Sequence, residues 1–163
     1  MSKWAALAAA LLPGVSCAQV AGEVYEFRGR PGDPQPRYEI RQVEAVEGQL
    51  IAWVTVTGVV VNPAGRAARC VLTSITLPFS VEALRAAPTR RLSVAPPRPL
   101  RAPTIDAWRR GLRDGDAKSL SRVTVAQALT RIERLDRASV QALFGFDPYS
   151  NCPLSSAAGE LAT

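Results

Sequence analysis

Between Arg85 and Arg113 the chain carries eight arginines, Arg85, Arg90, Arg91, Arg98, Arg101, Arg109, Arg110 and Arg113, against one acid, Asp106. A guanidinium presents paired N–H donors to a phosphate or carboxylate and keeps its charge at ordinary pH. The chemistry open to this stretch is therefore anion binding, with Arg90, Arg91, Arg98, Arg101, Arg109 and Arg110 as candidate ligand-binding residues. An anionic lipid or glycan surface, or an acidic envelope protein, would suit it as a partner. Nucleic acid is not favoured, because no reading motif is present and few aromatics lie among the arginines. The spacing Pro96-Pro97-Arg98-Pro99 matches what proline-binding modules read, but those are mostly eukaryotic and intracellular. The bland alternative is a solvated basic loop with no ligand.

The other reactive types are sparse. No histidine occurs in the 163 residues, which removes Ser-His-Asp and Cys-His catalysis, the usual imidazole base and most His-containing metal sites. Acid and base work would fall to carboxylates. Asp114 and Asp116 share a short turn, and Glu23 and Glu26 lie on opposite faces of a strand, so neither pair has the arrangement of a glycosidase. Asp114-Gly115-Asp116 lacks the ligand series of an EF-hand, and no zinc spacing, phosphate-binding glycine loop or Ser-x-x-Lys nucleophile is present. No catalytic residue, metal ligand or cofactor is assigned.

Three cysteines complete the chemistry. Met1-Ser2-Lys3, the apolar run from Trp4 to Leu12, the break at Pro13-Gly14 and the small residues before Gln19 follow the order of a secretory signal peptide over residues 1–18. Cleavage after Ala18 would leave Gln19 as the mature start. Val15-Ser16-Cys17 also admits a bacterial lipoprotein with Cys17 lipidated, although Gly14 stands where that pattern carries leucine. The apolar run is shorter than the roughly 20 residues a membrane span needs. After export, Cys70 and Cys152 remain as an even pair in an oxidising compartment. Joining them closes a loop of roughly 80 residues, valued at about 4–5 kcal/mol as an upper figure by chain entropy.

The elements that must position these groups start at the apolar centre. Leu50 to Thr57 alternates, with Leu50, Ala52, Val54 and Val56 on a dry face and Ile51, Trp53, Thr55 and Thr57 on a mixed one. β-Branched residues continue to Val61. The preceding strand, Arg37 to Val46, needs a bulge near Gln42 to put Tyr38, Ile40 and Val43 on one side. Glu47-Gly48 turns between the two strands, and Asn62-Pro63-Ala64-Gly65 turns into a return strand over Ala67 to Leu77. Leu50, Val54, Val56, Val60, Val71, Ile75 and Leu77 form the expected core. Glu23 to Arg28 reads as a first, half-buried strand, followed by a Pro/Gly loop.

Beyond Leu77, Pro78 ends the strand and Ser80 caps a short helix to Ala87. Residues 88–103, rich in proline and arginine, read as an extended surface connection. A helix follows over Thr104 to Arg113 with Thr104 as cap and Ile105, Trp108 and Leu112 inward. A second runs from Val125 to Leu135 behind a Thr124/Gln127 capping box, its apolar face opposite Arg131, Glu133 and Arg134. A third covers Val140 to Phe144, capped by Ser139 and closed by Gly145. The expectation is a single α+β domain over residues 19–153, an N-terminal antiparallel β-meander of about four strands with two to four C-terminal helices on one face, and a disordered tail over residues 154–163.

The expected role is that of an exported, non-enzymatic binding or scaffolding protein of the bacterial cell envelope, periplasmic or extracellular, or lipid-anchored through Cys17. A small secreted inhibitor or secretion accessory protein is the alternative, and a carboxylate-dependent hydrolase comes third.

Overall fold

The computed structural model describes residues 19–62, 70–72, 74–100 and 102–152. The leader, Cys17, the turn from Pro63 onward, Arg101 and the 154–163 tail lie outside the described residues. The chain is α+β. Strands β1 (Glu23–Phe27), β2 (Arg37–Val46) and β3 (Gln49–Thr57) form the expected antiparallel meander. With β6 (Ile75–Ser80) and β7 (Thr89–Val94) they make a five-stranded sheet in the order β6-β3-β2-β1-β7. A separate two-stranded ribbon pairs β4 (Val59–Val61) with β5 (Cys70–Leu72). Five helices follow or interleave: α1 (Val81–Ala86), α2 (Ala102–Asp114), α3 (Asp116–Leu120), α4 (Val125–Glu133) and α5 (Arg137–Phe144).

The local signals fold as their chemistry requires. Glu47 at φ 49° and Gly48 at φ 74° both take the left-handed conformation of the two-residue turn that matches strand twist. The β2–β3 register slips between Ile40 and Gln42, and the slip sets Tyr38, Ile40 and Val43 opposite Val56, Val54 and Ala52 on one face. Ser80 Oγ accepts the Ala83 N–H at the start of α1, and Thr124 and Gln127 close a reciprocal capping box on α4.

Several expectations are corrected. β3 has no wet face: Ile51, Trp53 and Thr55 are buried as well as Ala52, Val54 and Val56, whereas Leu50 is 56% exposed. The reason is a layer on each side of the sheet rather than on one. On one face Leu112 of α2 shares a cavity with Ile51, and on the other Leu84 of α1 and Val125 of α4 share one with Phe27 and Tyr38. The long strand through Val61 breaks at Gly58, whose φ of 70° turns the chain beside the Gln35 carbonyl, so β4 leaves the main sheet. The return strand splits accordingly: β5 stays in the ribbon with Val71 exposed, and β6 joins β3. Pro78 does not end β6, because an edge strand accommodates a residue without an N–H.

The 88–103 connection is half strand. Residues Thr89 to Val94 pair with the free side of β1, and the extended course begins at Ala95, whose N–H bonds the Gly22 carbonyl. α2 begins two residues before Thr104, with Pro103 in the first turn where its missing N–H leaves nothing unpaired. α5 is capped by Asp136, whose carboxylate accepts both the N–H and the hydroxyl of Ser139.

Cys70 and Cys152 stand at disulfide distance, with Cα atoms 5.4 Å apart. The pair ties the C-terminal turn to the ribbon, not to the main sheet. Among the described residues, no helix is long and apolar enough to cross a membrane.

Candidate anion-binding groove

The fold disperses the basic segment. Arg90 and Arg91 leave β7 on opposite faces: Arg90 Nη2 reaches the Glu26 carboxylate at 3.2 Å, and Arg91 Nη1 reaches Glu23 at 3.0 Å. Arg98, in the crossing segment after β7, donates to Glu39. Arg41 anchors that segment by donating to the carbonyls of Arg98 and Pro99. Arg109 donates to both oxygens of Glu44, which also accepts the Trp53 indole N–H at 3.0 Å and the Gln42 amide at 3.1 Å. Four of the six candidate arginines thus face a carboxylate of β1 or β2.

These pairs set the ionisation of their acids. The Arg109 guanidinium holds the Glu44 carboxyl below its ordinary range, outweighing the opposing effect of burial, and the Trp53 N–H adds to it. Burial alone would raise Glu23, yet the Val20 N–H, Arg91 and the Tyr25 hydroxyl together bring it below its ordinary value. Neither carboxylate is poised to carry a proton near neutral pH.

One cavity is lined by two carboxylates, Glu26 and Asp33. Asp33 accepts the N–H groups of Arg30 and Val60 and pairs with the Arg30 guanidinium, and Glu26 pairs with Arg90. Both are spoken for as structural acceptors. Among the described residues, no group of three or more His, Cys, Asp or Glu could hold a metal ion.

Arg110, exposed on α2, differs from those four arginines. It has no carboxylate partner among the described residues and lines a cavity of about 630 Å³ enclosed by α2, α3, α4 and α5. Arg131 of α4 lines the same cavity, together with Ser119 and with Ser139, whose hydroxyl donates to Asp136. Ala107, Leu120, Leu135 and Leu143 add apolar lining, and no acid is among the described residues that line it.

The hollow follows from residue sizes. Ala107 and Gly111 stand four apart on one flank of α2, so that flank carries almost no side-chain volume. A Cβ on Gly111 would lie 3.0 Å from that of Ala117, so the small residue also lets α3 come close. On the inward flank Trp108 is buried edge-on against Phe144 at a centroid distance of 5.0 Å, which sets α5 beside α2.

Comparisons with protein-family models, curated proteins and solved structures returned no match. The site must be read from its own chemistry.

Arg131 is exposed on the polar face of α4, as its helical position predicts, and also lines the cavity, a neighbourhood that only the placement of α2 and α5 reveals.

Proposed function

We propose that this chain is an exported, non-enzymatic binding protein of the bacterial cell envelope that receives an anionic partner in the α2–α5 groove. The observation that carries the reading is that Arg110 and Arg131 line one cavity with no carboxylate among the described residues of its lining. Two guanidinium groups in one cavity attract a phosphate or carboxylate, and the cavity volume lies within the roughly 300–1,000 Å³ of small-molecule sites. Arg90, Arg91, Arg98 and Arg109 contribute less, since an intramolecular carboxylate already answers each of them. Export is supported by the order of the leader residues and by the Cys70–Cys152 pair, a bond that oxidising compartments maintain.

The test is co-sedimentation of the mature chain, beginning at Gln19, with phosphatidylglycerol vesicles and with phosphatidylcholine vesicles. Binding to the first that weakens with salt, and falls at least tenfold in the R110Q/R131Q double variant, is the expected result. Equal binding to both vesicles, or none to either, removes the proposal.

A further inference from the structure

We infer that the groove holds a single-chain anionic amphiphile, its carboxylate or phosphate head between Arg110 and Arg131 and its acyl chain along Leu120, Leu135 and Leu143. The inference rests on the anion-binding reading and adds the chemistry of the rest of the ligand.

The lining divides by polarity. Arg110 and Arg131 are cationic, while the half-buried Leu135 and the accessible edges of the buried Ala107, Leu120 and Leu143 supply apolar surface in the same cavity. A compact anion such as inorganic phosphate would satisfy the arginines and leave that surface wet. A chain of methylenes covers it, and each one removed from water strengthens binding. A partner protein fits less well, because only ten of the described residues line the cavity, whereas a stable protein interface engages roughly 20–30 residues a side.

The decisive experiment is calorimetric titration of the mature, oxidised chain with butanoate, octanoate and decanoate below their micellar concentrations, with decanol as the uncharged control and decyl phosphate as the alternative head. Affinity is expected to rise about threefold per added methylene. Decanol should bind at least tenfold more weakly than decanoate, and the ratio of decyl phosphate to decanoate shows which head is preferred.

A142W should fill the groove from an exposed position on α5, leaving the fold intact by circular dichroism and abolishing the dependence on chain length. Equal affinity for butanoate and decanoate, or undiminished decanoate binding by A142W, overturns the inference. If that happens while phosphatidylglycerol binding still depends on Arg110 and Arg131, the anion-binding reading stands and the acyl-chain assignment alone fails. Loss of both removes both.

Discussion

Arg109 grips Glu44 through two charge-assisted hydrogen bonds, Nη2 at 2.6 Å and Nε at 2.9 Å, and so locks α2 onto β2 across 65 residues of sequence. Glu44 is at the same time the acceptor for the indole of Trp53, which is fully buried. Glu44→Ala is expected to lower the unfolding free energy by about 1–3 kcal/mol, because a buried N–H loses its acceptor. Glu44→Gln keeps an acceptor and should cost less, about 1 kcal/mol. Urea denaturation of the two variants checks the order.

The same contact predicts a pH dependence. Glu44 and Glu23 both ionise below their ordinary value of 4.5 in the folded chain. A depressed folded pKa contributes stability that is present above the unfolded value and is lost as pH falls through the folded one. The denaturation midpoint should therefore vary little with these two groups between about pH 5 and 7 and fall below about pH 4.5. In Glu44→Gln the acid-side fall should be shallower. A midpoint that rises on acidification would contradict the assignment.

Reduction should loosen the C-terminal turn first. Cys70 and Cys152 are 82 residues apart, so their bond restricts a long loop in the unfolded chain. Cys152→Ser, or wild type in reductant, should lose about 2–5 kcal/mol by chemical denaturation. Coincident curves for oxidised and reduced protein, or free thiols by mass after alkylation without reductant, would show that the pair is not joined.

Two glycines should respond differently to alanine. Gly22 sits at φ 94°, and a Cβ there would meet the Ala95 carbonyl oxygen at 2.2 Å. Its own N–H and carbonyl bond Ile40 and Ala95, tying β1, β2 and the end of β7 together. Gly48 at φ 74° has open space around it. Gly22→Ala should cost at least about 2 kcal/mol and Gly48→Ala about 1 kcal/mol, a difference that thermal melts resolve.

What could be read from the chain alone was what nearby residues decide. The Glu47-Gly48 turn, the bulge near Gln42 and the Thr124/Gln127 box are settled within a few residues, and each formed as its chemistry indicated. Reading Cys17 as part of a leader left Cys70 and Cys152 as an even pair, and these two stand at disulfide distance. What escaped was decided by distant partners. β7 is a strand because β1 offers it a free edge and because Glu26 and Glu23 of β1 form ion pairs with Arg90 and Arg91. The burial of Ile51 and Trp53 depends on α2 arriving from beyond the proline segment. Among the candidate arginines, Arg110 became distinct from Arg109, its neighbour in sequence, because one turns toward Glu44 and the other toward the groove. Arg131 entered the site for the same reason.

The most direct test maps amide chemical shifts of the mature chain as decanoate is added. Perturbations concentrated in residues 107–111, 119–120 and 131–143, and absent from R110Q/R131Q, are the predicted result. Perturbations concentrated at Thr89 to Val94 and around Arg98, with the groove unmoved, would contradict it and return the anion site to the arginines of the sheet edge.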